Sequence, residues 1–174
     1  HSIKKDLSII CFHGNQKIGN GLTIPSGPLR ESLKELKNCQ IIFINGSKDL
    51  EFELKLKRYN SKIQFFYYNY FPKNIENFKN KKLIAFAGIG NPENFFKLLK
   101  QNHLNIVKEI SYPDHYAYND KELDKLNKLE KLYNAKLVTT EKDYMRINQF
   151  IRKKYDFIRV AIKFEEEEKL KKKL

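Results

Sequence analysis

Apolar residues along this chain fall into short dense runs, and each run is followed by a loop and then by an amphipathic stretch. Ser8-Ile9-Ile10-Cys11-Phe12 reads as a buried strand, and Gln40-Ile41-Ile42-Phe43-Ile44 as another, closed by the turn signal Asn45-Gly46. Between them, Leu29, Leu33 and Leu36 recur at helical spacing, predicting a short helix over 28–36 that starts at Pro28. From 51 to 57 polar and apolar residues alternate, and 62–70 is aromatic-rich with period two. Both suit exposed strands, as in a two-stranded ribbon linking two lobes. The buried pattern restarts at Leu83-Ile84-Ala85-Phe86-Ala87-Gly88, followed by a helix over 93–101 and a strand over 105–110. A helix over 120–134 comes next, with Leu123, Leu126 and Leu129 inward; then a strand over 135–138, a helix start over 141–148 and a last strand over 156–164. The closing 165–174, four acids and then mostly lysines, suits a helix through its dipole.

Strand, loop, helix, strand is the grammar of an α/β fold with a parallel sheet. The pattern divides into residues 1–50, a linker region 51–81, a smaller α/β lobe 82–160 and a return strand with a helix start over 161–174. Hydrophobic residues make up 41% of the 174, enough to fill a core and to argue against wholesale disorder.

Charge changes the picture less than its size suggests. The net charge of +13 invites nucleic acid or an anionic membrane as partner. Of the basic residues, however, only Arg30, Arg58, Arg146, Arg152 and Arg159 are arginine, the side chain suited to bidentate phosphate contacts. Lysines spread evenly along the chain fit a solvated surface better, so nucleic acid is not the expected partner, while an anionic membrane face stays open. Two cysteines, Cys11 and Cys39, are too few for a disulfide scaffold and form no metal-ligand spacing. No apolar run is long enough to span a bilayer.

Four stretches carry candidate chemistry. Gly19-Asn20-Gly21 opens a loop that ends in Pro25-Ser26-Gly27-Pro28-Leu29-Arg30-Glu31; its glycines permit close backbone approach and Arg30 would add charge at a helix start. Taken alone it is also an ordinary turn. Gly88-Ile89-Gly90-Asn91-Pro92 lies between strand and helix, where open sheets bind ligands, but lacks the third glycine of a dinucleotide fingerprint. In Pro113-Asp114-His115-Tyr116, a carboxylate beside an imidazole is the pairing that fixes a tautomer or tunes a base. His115 is therefore the strongest catalytic candidate among the four histidines. Thr139-Thr140-Glu141-Lys142-Asp143 reads as a capped helix start, in which only Lys142 is surplus to capping.

In this order and at these separations, GNG with PSGPLRE, AFAGIGNPENFF, PDHYAY and TTEKD resemble the tetraacyldisaccharide 4'-kinase family, the ATP-dependent lipid-sugar kinases of lipid A biosynthesis in Gram-negative bacteria. The resemblance runs from about Asp6 to the end and implies a P-loop-kinase-like α/β/α sandwich: part of a nucleotide-binding lobe, a two-stranded linker and a smaller C-terminal lobe. It implies catalytic roles for His115, with Asp114 beside it, and for Arg30 near the nucleotide phosphates. Gly19, Asn20, Gly21, Glu31, Gly88, Gly90 and Asn91 become candidates for substrate or phosphate contact. Tyr116 stands where the family often has a second histidine, and Ser26 where it often has alanine. The family's P-loop, aspartate base and acidic metal motif have no counterpart in these residues. ATP and Mg²⁺ would thus be gripped mainly by a missing N-terminal half, encoded separately or lost, and no metal ligand is assigned here. The implied substrate is a lipid A disaccharide precursor at the cytoplasmic face of the inner membrane, held peripherally. The 174 residues by themselves are expected to be inactive. The alternatives are a non-catalytic basic α/β module on anionic membrane or nucleic acid, or the product of a decayed gene.

Overall fold

The computed structural model describes residues 6–174; His1 lies outside them. The chain divides into two compact units, one formed by residues up to Asn69 together with Ile162–Leu174, the other by Tyr70–Ala161.

In the first unit, β1 (Ile9–His13), β2 (Ile41–Asn45) and β3 (Gln64–Pro72) are parallel neighbours, with Ile9 opposite Ile41 and Ile41 opposite Gln64. The edge beyond β3 is taken by β8 (Val160–Phe164). Glu165 N–H donates to Tyr67 O at 3.0 Å and Lys73 N–H to Arg159 O at 2.8 Å, so β8 runs antiparallel to β3. The chain crosses between units on these two strands. These two strands come from distant parts of the sequence, whereas the ribbon expected over 51–70 would have paired neighbouring segments.

Residues 51–57 are not a strand but the body of α1 (Leu50–Lys57). Asp49 caps it by accepting from Phe52 N–H at 2.9 Å, with Glu51 and Glu53 in the first turn and Lys55 and Lys57 in the last, the charge order the helix dipole favours. Phe52 and Leu56, four apart, are buried with Ile42, Ile44 and Leu36, whereas Leu50 and Leu54 are exposed. The alternating pattern concealed that i,i+4 pair. Asp49 also pairs with Lys17, and this hydrogen bond is the chief reason its carboxyl lies below the usual range. On the opposite face of the sheet, Leu170 of α5 (Glu167–Lys171) packs with Ile41 and Phe66.

The second unit holds a sheet in the order β5-β4-β6-β7, formed by Asn105–Ser111, Lys82–Ala87, Lys136–Thr140 and Asp156–Ile158. All its pairings are parallel. The last strand expected from sequence is therefore two, β7 and β8, one in each sheet. Alternate residues of β4 face opposite cores. Leu83, Ala85 and Ala87 meet Phe95, Phe96 and Leu99 of α2 (Pro92–Gln101), while Ile84 and Phe86 meet Leu123 and Leu126 of α3 (Asp120–Tyr133). Helices on both faces make this an α/β/α sandwich. Full burial of Phe96 or Leu99 is worth about 1.5–3 kcal/mol each, which outweighs the modest intrinsic stability of a ten-residue helix such as α2.

Candidate active site

The second sheet has a switch point. From β4 the chain goes to β5 on one side and then crosses back to β6 on the other, so the loops after β4 and β6 diverge. Ligands of open α/β sheets bind in the crevice at such a point, beyond the carboxyl ends of the strands. Gly88 follows β4, Asp114 and His115 follow β5, and α4 (Glu141–Arg146) follows β6.

The structure brings four of the sequence candidates into reach of one another. Gly88 O accepts from His115 N–H at 3.1 Å, and Tyr112 N–H donates to Ala87 O at 2.8 Å, so the Asp114–His115 loop is laced to the turn after β4. His115 has φ of +60° and Asp114 Oδ1 accepts its N–H at 2.9 Å. The Asp114 carboxylate also faces Gly90, where a Cβ would lie 3.4 Å from Oδ2. His115 Nε2 lies 3.9 Å from Asp114 Oδ2, too long for a hydrogen bond. Both side chains are exposed, His115 at 72%, so the ring edge is open to a partner. Asn91 lies on the same turn, but its side chain is used as the cap of α2, accepting from Asn94 N–H at 3.3 Å.

What sequence reasoning missed is the residue that holds this turn. Asp143 is fully buried. Its Oδ2 accepts from Gly88 N–H at 3.0 Å and from the Thr140 hydroxyl at 2.8 Å, and its Oδ1 takes Arg146 Nη1 at 3.1 Å. Arg146 Nη1 also donates to Gly88 O at 2.7 Å, and Nη2 lies 3.0 Å from His115 Nδ1. Gly88 is thus gripped at both its N–H and its C=O by side chains of α4. Thr140 caps α4 as expected, but the residue surplus to capping is Asp143; Lys142 is exposed. The signal available in the sequence was Asp143 and Arg146 three apart, the spacing that puts two side chains on one helix face.

Tyrosines back the loop. Tyr116 stacks on Tyr112 at 4.6 Å between ring centres, and Tyr118 packs edge-on against both. Tyr116 therefore serves as packing. Burial pushes the Tyr112 hydroxyl up to about 12 and raises Tyr118 further, with the charge of Asp143 adding to the latter. Gly88 has no room for a side chain, since a Cβ would lie 2.9 Å from Tyr116 Cβ and 3.2 Å from Pro113 O. Gly88→Ala is accordingly expected to cost about 1–3 kcal/mol in a urea unfolding curve and to shift the NMR signals of the His115 loop; an unchanged spectrum would contradict the close packing.

The first unit carries the other candidates. Gly19 and Gly21 take φ of +57° and +80°, and a Cβ at Gly19 would strike Pro28 Cγ at 2.5 Å. Asn20 closes the loop on itself: its Nδ2 donates to Ser26 O at 2.8 Å and its Oδ1 accepts Leu22 N–H at 3.1 Å. Asn20 is a loop staple in this structure. The helix expected over 28–36 is instead a 3-10 turn at Leu33–Asn38 capped by Ser32, because Leu29 is drawn into pairing with the loop, Ile24 N–H donating to Leu29 O at 2.8 Å. Arg30 therefore does not sit at a helix N-terminus. Arg30 and Glu31 are exposed, and among the described residues Arg30 has no ion-pair partner. No group of three or more His, Cys, Asp or Glu able to hold a metal occurs among the described residues. No helix among them is long and apolar enough to cross a membrane.

A parallel α/β/α sandwich with its polar loops gathered beyond the strand ends is an arrangement that P-loop-kinase-like proteins share with other open α/β folds. A solved structure of that kind, the LpxK of Aquifex aeolicus crystallised in complex with ATP, aligns with 97% of this chain and 51% of its own at a TM-score of 0.60 and 24% identity. The chain itself belongs to the tetraacyldisaccharide-1-P 4'-kinase family, whose model matches residues 1–174. The tetraacyldisaccharide 4'-kinase of Pelagibacter ubique is 40% identical over 176 residues, covering 99% of this chain and 56% of the relative. That of Rickettsia bellii is 39% identical over 144 residues, covering 82% of this chain and 44% of the relative. The chain thus spans about half the length of the curated relatives it matches.

Proposed function

We propose that this chain forms part of an ATP-dependent kinase that phosphorylates the 4'-hydroxyl of a tetraacyldisaccharide 1-phosphate, a lipid A precursor, at the cytoplasmic face of the inner membrane. The observation that carries the reading is the Asp114–His115 loop, tied to the switch-point turn in a chain that belongs to this family. In the reaction the hydroxyl oxygen attacks the γ-phosphorus, its proton passes to a carboxylate base and ADP leaves. The open edge of His115 suits it to hydrogen-bond that base and hold it toward the hydroxyl. Arg30, exposed and free of ion pairs among the described residues, is suited to the charge that builds on the phosphates. Gly19 and Gly21 shape its loop, with Glu31 beside it.

Magnesium would supply neutralisation of phosphate charge. The described residues offer it no cluster, so its ligands are expected from the nucleotide and from the family's P-loop segment. That segment also supplies the base, from the same polypeptide or a separate one. The net charge of +13 is compatible with an anionic membrane surface as the place of work.

These 174 residues on their own are expected to consume no ATP. Joined to the N-terminal part of the Pelagibacter relative, they should convert ATP to ADP only when the disaccharide 1-phosphate is present to accept the phosphate. Lipid-independent ATP consumption by the hybrid, or turnover by the 174 residues alone, would contradict the proposal.

A further inference from the structure

A basic residue in the last turn of a short helix ordinarily reaches into solvent beside the helix C-terminus. Arg146 does not: only 19% of its side chain is exposed. Its guanidinium is spread over three acceptors from three segments, with Gly88 O at 2.7 Å, Asp143 Oδ1 at 3.1 Å and His115 Nδ1 at 3.0 Å. A guanidinium can only donate. The nitrogen facing it must therefore be a bare acceptor, and the one proton of the neutral ring must sit on Nε2, the edge that faces Asp114 and solvent.

We propose that Arg146 is a positioning residue that holds the His115 imidazole in its Nε2–H tautomer, and that the buried Asp143 acts through Arg146 by fixing its fork. The backbone supports the same arrangement independently. The Gly88 carbonyl that accepts from Arg146 also accepts the His115 N–H at 3.1 Å, so main chain and ring are registered to one peptide group. The device presents a proton-bearing Nε2 to whatever carboxylate approaches, which is the polarity needed to hydrogen-bond an ionised base without competing for its substrate proton. The inference rests on the reading of His115 as the partner of such a base, but its test does not.

The test is ¹⁵N NMR of the imidazole nitrogens of this chain, at a pH where the ring is neutral, with His115 assigned by its loss in His115→Ala. The wild type should show Nδ1 as an unprotonated acceptor and Nε2 as protonated, with the Nδ1–H form barely populated. Arg146→Leu should raise the Nδ1–H population about tenfold. Arg146→Lys keeps the charge beside Asp143 but lacks the fork that can also reach the ring, so it should raise the minor tautomer in a chain that retains its fold. A merely structural role would lower stability and leave the tautomer ratio where it was. A protonated Nδ1 in the wild type, or an unchanged ratio in either folded variant, overturns the proposal. Either result stands whether or not the chain takes part in phosphoryl transfer.

Discussion

His115→Ala is expected to lower phosphoryl transfer to the disaccharide about 10²- to 10³-fold, with the loss in kcat and little change in KM for ATP. The 4'-hydroxyl must shed a proton as it attacks, and an acid–base group contributes only when it is held within hydrogen-bond reach. His115 is held by its backbone N–H on Gly88 O and by Arg146 at Nδ1, yet its ring edge is open. Because its side chain is exposed, alanine leaves no cavity, and the variant should unfold within about 0.5 kcal/mol of the wild type. Initial rates of label transfer by the hybrid enzyme check this. A wild-type rate would remove His115 from the chemistry.

The second large effect is on stability. Asp143→Ala is expected to cost about 3 kcal/mol or more in the unfolding of the 70–161 unit. Asp143 is buried and accepts from Gly88 N–H, the Thr140 hydroxyl and Arg146. Removing its carboxylate strands a buried N–H and a guanidinium that cannot lose its charge. Asp143→Asn keeps the shape, but its amide nitrogen would meet donors on one side, so about half the loss is expected. Urea unfolding followed by circular dichroism measures both. A loss under about 1 kcal/mol for alanine would show that solvent replaces the carboxylate at no great cost.

The α/β character was legible because buried parallel strands are short continuous apolar runs, and β1, β2, β4, β5 and β6 each fall within a residue or two of the predicted bounds. α1 was not legible, since Leu50-Glu51-Phe52-Glu53-Leu54-Lys55-Leu56-Lys57 alternates as a strand would, and only burial separates Phe52 and Leu56 from the exposed Leu50 and Leu54. The helix predicted from Pro28 failed for the opposite reason: a good heptad-like spacing was overruled when Leu29 paired back onto its own loop. In the candidate site, Asp114 and His115 were visible as a dipeptide, and Gly88 and Gly90 as a turn. Asp143 and Arg146 were hidden inside a stretch that capping already explained. Their contacts run 55 and 58 residues back to Gly88, a separation at which local pattern carries no information.

The most direct test of the account is the position of the phosphate added by the hybrid of this chain with the N-terminal part of its Pelagibacter relative. With labelled ATP and a tetraacyldisaccharide 1-phosphate, the label should appear as a new phosphomonoester on the 4'-oxygen of the lipid. No label on the lipid, or label at any other hydroxyl, would contradict it.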